Sequence, residues 1–302
     1  MTRHGMPQGR FPLTGLVVGS LLVAVPVAPE PPVWGAYGHE MIGRMAAQHV
    51  PESMPAFFRG AVDQLAYLNV EPDRWRDRTE RVLDPAMDGN YSPGHYINYE
   101  VVPEAAFEAP DRLAYFHALE QAGVDRQPGF LPFVILELTQ RLRVAFREWR
   151  EAGEPERGWI EQRIINDAGI LGHYVADGSN PLHTTVHYNG WVGDNPNGYA
   201  TLRGTHARIE IDYVRAQVLT GDLAPLMGDP IVFDDLRTAV WDYLGASHDL
   251  VEQLYQIDRE ARFDGETTAA ANKAFITGRL AAGAAMLRDL WWTVWVTSEP
   301  DR

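Results

Sequence analysis

Apolar positions recur at helical spacing along most of this chain. In GHEMIGRMAAQHV, Met41, Ile42, Met45 and Val50 fall near one helical face, and Pro51 stops the run. In SMPAFFRGAVDQLAYL, Ser53 predicts an N-cap and Pro55 a first turn. FVILELTQRLRVAFREWREA predicts a long amphipathic helix, with Leu136, Leu138, Leu142, Phe146 and Trp149 inward and Arg and Glu outward. WIEQRIINDAGILGHYVAD predicts another, ended by Gly178 and Pro181. THARIEIDYVRAQVL follows a Gly/Asn-rich loop, and LRTAVWDYLGASHDLVEQLYQID and ANKAFITGRLAAGAAMLRDLWWTVWV complete the set. No stretch alternates convincingly with period two. The pattern predicts an all-α chain, one multi-helical domain over residues 34–302, with no internal repeat, low-complexity tract or long linker.

The first 33 residues read differently. MTRHGMPQGR carries Arg3 and Arg10, LTGLVVGSLLVAVPVA is apolar, and PEPPV breaks the run. A charged region followed by a short apolar one predicts a secretory signal, hence a secreted or periplasmic protein. The alternative is an uncleaved membrane anchor, although the apolar run is short for a span of ~20 residues. No small-x-small pattern before Trp34 marks the cleavage point.

Composition narrows the function classes. Of 302 residues, 26 are Lys or Arg and 41 are Asp or Glu, a net charge of -15. Coating of duplex DNA needs a basic face, so this balance argues against it. It does not exclude an enzyme acting on phosphodiesters, because bound divalent ions invert the local field. There is no cysteine. Disulfides and thiolate metal sites are therefore excluded, and any metal must be held by His, Asp, Glu or backbone atoms.

Several such residues stand at suggestive spacing. His173 and Asp177 are four apart on one helical face, which also carries Gly169 and Asn166; small and polar neighbours predict room for an ion there. His183 follows the helix end after SNP, where the chain can turn back. His206 and Glu210 form a second i,i+4 pair after the loop GWVGDNPNGYATLRG. One such pair is equally compatible with a surface hydrogen bond or ion pair. Two pairs with a histidine between them favour a zinc-type donor set. Upstream, His39 shares its face with Gly43 and Ala46, Asp73 is followed one turn later by Arg76, and His95 lies in GHYINYE. His187 reads as a loop hydrogen-bonding residue rather than a ligand. His49, His117 and His248 lack partners at ligand spacing, and Asp77 is the fallback for Asp73. The terminal WWTVWV reads as a buried helix end rather than an aromatic platform.

The ordered set Trp34-x4-His39, Asp73, His95, His173-x3-Asp177-x5-His183 and His206-x3-Glu210 resembles the zinc-dependent phospholipase C / single-strand-specific zinc nuclease superfamily. The most specific stretch is HYVADGSNPLH, and the resemblance runs from Trp34 to Glu210. The 23-residue step from His183 to His206 and the five-residue step from Trp34 to His39 look like the nuclease branch. Glu rather than Asp at 210 looks like the phospholipase branch.

The resemblance implies a helical domain with a metal cluster at the bottom of a cleft. It implies a first zinc held by Asp73, His95, His173 and Asp177, and a second by His183, His206 and Glu210. A third would be held by His39, Asp177 and the amino nitrogen and carbonyl oxygen of Trp34. Three ions are expected, or two if the Trp34 amine is not freed by cleavage after Val33. Zinc-activated water would attack phosphorus in line, with Asp73 accepting its proton and Arg76 contacting phosphate. Tyr96 would stack a base, and Asn98 stands where the nuclease branch usually has a base-reading Asp.

The expected function is therefore a secreted zinc-dependent phosphodiesterase of nuclease type, acting on single-stranded nucleic acid or 3'-nucleotides. One alternative is a phospholipase C acting on phospholipid head groups. The other is a non-catalytic zinc-binding helical protein. No stable protein partner is evident.

Overall fold

The long helices form where the apolar periodicity marks them, but several runs are divided, and Arg112–Gln121 is a helix that the periodicity did not mark. In the computed structural model, residues 34–85, 92–125 and 127–299 are described, and the expected leader at 1–33 lies outside them. The longer helices are α1 (Ala36–Gln48), α2 (Val62–Leu68), α3 (Glu71–Arg74), α4 (Arg112–Gln121), α5 (Leu131–Glu151) and α6 (Glu156–Ser179). They continue with α7 (residues 205–217), α8 (Leu236–His248), α9 (Val251–Glu260) and α10 (Ala270–Val296). Among the described residues, extended pairing is limited to two single bridges, Ile97 with Gly129 and Tyr188 with Gly190. The all-α expectation is met.

Helix α6 is the axis of the domain. Its second half, from Ala168 to Ser179, is buried all round. A helix apolar on every face has no solvent side and must be surrounded. Helices α1, α2, α5, α8 and α10 pack on it. Leu171, Val175 and Ala176 are fully covered, and burying each Leu or Val side chain contributes roughly 1.5–3 kcal/mol. Into this apolar sleeve α6 carries two polar side chains, His173 and Asp177, both at zero exposure.

The chain turns sharply where α6 ends. Asn180 leaves the helix in an extended conformation, and its side-chain oxygen accepts the Leu182 N–H. Pro181 lacks the donor that a further helical turn would need. A 3-10 turn, Pro181–His183, follows and brings His183 back towards the helix. At the other end of the described chain, the indole of buried Trp34 donates to the carbonyl of Ala176 at 2.8 Å. This ties the entry of α1 to the same end of α6.

Some local expectations change. Ser53 caps nothing; Pro55 is extended and the helix starts after it, as Ala56–Arg59, then breaks at Gly60 before α2. The run from Leu236 to Asp258 divides at Asp249 and Leu250 into α8 and α9. In α5, Leu138, Leu142 and Phe146 are buried as expected, whereas Leu136 and Trp149 are half-buried. Trp291 in the terminal aromatic run is fully buried, and Arg150 lies 3.5 Å over the Trp295 ring.

The small residues near His173 and His39 also have a different reason from the one expected. A Cβ on Gly169 would lie 2.3 Å from Leu68 Cβ, and one on Gly172 2.3 Å from Asn69 Nδ2. One on Gly43 would lie 2.8 Å from the same Asn69 atom. These glycines admit the end of α2 between α1 and α6, rather than leaving room for an ion. Asn166 is exposed. Gly169→Ala is expected to destabilise by about 1–3 kcal/mol through overpacking. Gly278→Ala, a helical site with open space around it, is expected to stabilise by about 0.5–1 kcal/mol. Denaturant unfolding of the two variants checks both signs.

Candidate metal centre

The side chains of the expected ligand set come from α6 itself, from elements packed on it, and from α7, which packs on α1. His39 sits in the first turns of α1, and Asp73 in α3. His95 ends the 3-10 turn Ser92–His95, and His183 ends Pro181–His183. His206 and Glu210 lie on α7, which runs as Thr205–Ala207, a π-helical segment Arg208–Tyr213, and Val214–Gln217. Among the described residues, three groups bring ligand atoms within 4.8 Å of one another: His39, His173 and Asp177; Asp73, His95 and His173; and His183, His206 and Glu210.

The donor spacing within each group is near that around one ion, but His173 Nε2, common to the first two groups, can ligate only one ion. Tetrahedral zinc with bonds of ~2.0–2.1 Å separates its donors by about 3.3–3.4 Å. In the third group His183 Nε2 lies 3.2 Å from both Glu210 Oε1 and His206 Nε2, and His206 Nε2 lies 2.6 Å from Glu210 Oε1. In the second, His173 Nε2 is 3.0 Å from His95 Nδ1 and 3.9 Å from Asp73 Oδ1. Asp177 joins the groups. Its Oδ2 is 2.9 Å from His95 Nδ1 and 3.4 Å from His173 Nε2, while its Oδ1 is 3.5 Å from His39 Nε2. A carboxylate whose two oxygens face different imidazoles can bridge two ions.

Electrostatics points the same way. Burial is the main cause that lowers the His39 pKa from 6.5 to about 3 and that of His183 to about 4. Burial first, then neighbouring charged groups, holds His95, His173 and His206 well below their usual range. All five imidazoles are therefore neutral at pH 7, the form that ligates metal. Burial, then Asp73, pushes the Asp177 carboxyl well up; burial, then Asp177 and Asp73, does the same for Glu210. Arg76 offsets the ionisation of Asp177 only in part, and Glu210 is helped by the Asn180 hydrogen bond rather than by a positive charge. Five buried atoms of the same side chains also lack a hydrogen-bond partner: His39 Nε2, His95 Nε2, Asp177 Oδ1, His206 Nδ1 and Glu210 Oε2. Such orphans cost roughly 1–3 kcal/mol each. A cation would satisfy His39 Nε2 and Asp177 Oδ1, whereas His95 Nε2 and His206 Nδ1 are the second nitrogens of rings whose other nitrogen faces the carboxylates.

The remaining expected residues fall at or near this cluster. Arg76 is 7% exposed and acts electrostatically on His95, His206 and Asp177, so it faces the cluster rather than solvent. The Asp73 side chain is 20% exposed while the other ligands are at most 4%, so solvent reaches the cluster from its side. Asp77 caps the helix Arg78–Leu83 by accepting the Thr79 N–H, which accounts for it without a ligand role. Tyr96 is half-buried, and burial, then the nearby Tyr188 phenol, raises its pKa. Tyr188 in turn lies edge-on to His206, with centroids 6.1 Å apart. Asn98 gives its N–H to Pro128, and its side chain makes no cap on the following turn. His187 stacks on Trp191 at 3.9 Å and accepts the Val192 N–H. His248 bonds the Thr184 carbonyl and His49 that of Met45.

Sequence reasoning missed two buried asparagines. Asn69 contacts His39 and His173, and Asn180 donates its amide to Glu210 Oε1. Asn180 carries a weak signal, as the residue before Pro181; Asn69 carries none. Compared with family models, with curated proteins and with solved structures, the chain matches none.

Zinc is expected to stabilise the chain by about 2.7 kcal/mol per ion at a hundredfold excess over its dissociation constant. Acid removes this effect, because protons compete for the imidazoles. In the ion-free chain the lowered histidine pKa values give stability that is present above 6.5 and lost as pH falls towards about 4 and 3. The raised carboxylates act oppositely: ionising them costs stability as pH rises. Thermal melts with zinc and with chelator should therefore differ most near neutral pH and converge below about pH 5.

Proposed function

We propose that this chain is a zinc-dependent hydrolase of phosphate ester bonds, of the phospholipase C / zinc nuclease kind, acting on single-stranded nucleic acid or 3'-nucleotides. The observation that carries this reading is the convergence of three His/carboxylate groups, joined by Asp177 and His173, beside the buried guanidinium of Arg76. Neutral imidazoles and carboxylates suit zinc, and the absence of cysteine leaves no softer donor set.

Zinc bound there supplies a nucleophilic water at neutral pH and neutralises phosphate oxygens. The chain's own residues do the rest. Asp177 and Glu210, ionised in the presence of the ions, balance their charge. Asp73, the one partly exposed carboxylate of the set, accepts the proton of the attacking water. Arg76 makes a charge-assisted hydrogen bond to a phosphate oxygen as charge builds on it. Tyr96 offers an aromatic face to a base, and Asn98 takes the base-reading position with an amide in place of a carboxylate. The backbone nitrogen and oxygen of Trp34 would help to hold an ion with His39 and Asp177 if the residues before it were removed, as for a secreted or periplasmic protein. No helix of the described residues is long and apolar enough to cross a membrane.

Two observations weigh between readings. Three protein donors at His183, His206 and Glu210 leave a coordination position for substrate or water, which favours catalysis over a purely structural zinc site. Glu210 favours the phospholipase C reading, and the longer side chain is met by the π-helical widening of α7 at that position.

Purified protein with zinc is expected to cleave bis-p-nitrophenyl phosphate and single-stranded DNA, and chelator is expected to abolish both. His183→Ala should lose activity and metal together. Arg76→Gln should keep its metal and lose about 10–100-fold in kcat/KM, the worth of one charge-assisted hydrogen bond. Cleavage of phosphatidylcholine in preference to DNA would establish the phospholipase reading instead. Full zinc content without hydrolysis of any of the three substrates would establish a non-catalytic protein.

A further inference from the structure

Asn69 is the first residue after α2, and it is fully buried. Its side-chain oxygen accepts a hydrogen bond from Nδ1 of His39 at 3.2 Å. Its main-chain oxygen accepts one from Nδ1 of His173 at 2.8 Å. The two rings held this way stack with centroids 4.1 Å apart and planes 12° apart. A neutral imidazole carries one proton. When Nδ1 spends it on Asn69, Nε2 is left as a lone pair. Both Nε2 atoms then face Asp177, at 3.5 Å from His39 and 3.4 Å from His173.

The approach of this one residue is built into two other helices. Gly43 on α1 and Gly172 on α6 stand where any Cβ would strike the Asn69 amide, and Gly169 stands where one would strike the preceding Leu68. Glycine in a helix interior costs roughly 0.5–1 kcal/mol relative to alanine. Three such positions around one segment are a large outlay for an ordinary core asparagine.

We propose that Asn69 is a positioning residue for the metal centre: one side chain and its own carbonyl fix the tautomer and aim of His39 and His173, and Gly43, Gly169 and Gly172 exist to admit it. The proposal rests on the metal-centre reading above. It assigns Asn69 no contact with substrate or ion, and it places two of the three groups, but not His183, His206 and Glu210, under one control.

The tautomer is tested on the ion-free wild-type chain, without any variant. Long-range proton–nitrogen NMR of the imidazoles should find His39 and His173 protonated at Nδ1; either ring protonated at Nε2 would overturn the proposal. Zinc titration by calorimetry, with content by mass spectrometry, then compares wild type, Asn69→Ala, Asn69→Asp, His39→Ala and the double variant Asn69→Ala/His39→Ala. Asn69→Ala should weaken the ion at His39 by about 10–100-fold, the usual effect of losing an outer partner of a ligating histidine. Asn69→Asp, which keeps the acceptor, should restore it. The double variant should bind no more weakly than His39→Ala, because the asparagine acts through that ring. Wild-type affinity in Asn69→Ala, or full additivity in the double variant, would overturn the proposal alone. A wild-type chain that binds no zinc would overturn the metal centre as well.

Discussion

A carboxylate with no exposure, ringed by the imidazoles of His39, His95, His173 and His183, is the constraint around which this molecule is arranged. Burying Asp177 in the last turn of α6 removes it from water, with only Arg76 to offset its charge in part. Desolvation of an ion costs several kcal/mol, and a neutral imidazole repays only part of it. Glu210 presents the same problem a short distance away, where burial, then the charges of Asp177 and Asp73, raise the cost of ionising it. Bound cations would favour the ionised carboxylates and occupy the imidazole lone pairs that face them.

The architecture follows from keeping these donors buried and aimed. Helix α6 is surrounded on every side, so its polar pair cannot reach solvent. Trp34, Asn69 and Asn180 fix the elements that face it. Nδ1 of His183 is bonded to the His95 carbonyl, as Nδ1 of His173 is to that of Asn69, so in both rings Nε2 is left to point inward. Glycines on α1 and α6 bring α2 close enough to make the second of these contacts. Packing and chemistry thus share the same residues, and the arginine beside the cluster is held by the same short segment that supplies Asp73.

Much of this was legible in the chain. Helical periodicity gave the long helices because their apolar faces are continuous; Gly178, which read as a stop, lies inside α6. The pairs His173/Asp177 and His206/Glu210 were readable because a helix converts i,i+4 spacing into adjacency. The convergence of His39, Asp73 and His95 on them depended on a resemblance, since nothing local links residues a hundred positions apart. Asn69 was invisible for that reason. Its close neighbours are Gly43 and Gly172. Gly43 and Gly169 read as vacant space for an ion, whereas they are vacant for Asn69 and the preceding Leu68. The breaks at Gly60 and at Asp249 were missed because a continuous apolar pattern does not report a short change of axis.

The central claim is that cations sit among these side chains. Anomalous X-ray diffraction above and below the zinc edge, from crystals of the zinc-loaded protein, tests it most directly. The account predicts edge-dependent peaks inside the ring of His39, His95, His173 and Asp177 and inside the triangle of His183, His206 and Glu210. Crystals with zinc in the solution and no such peak at either place would contradict it.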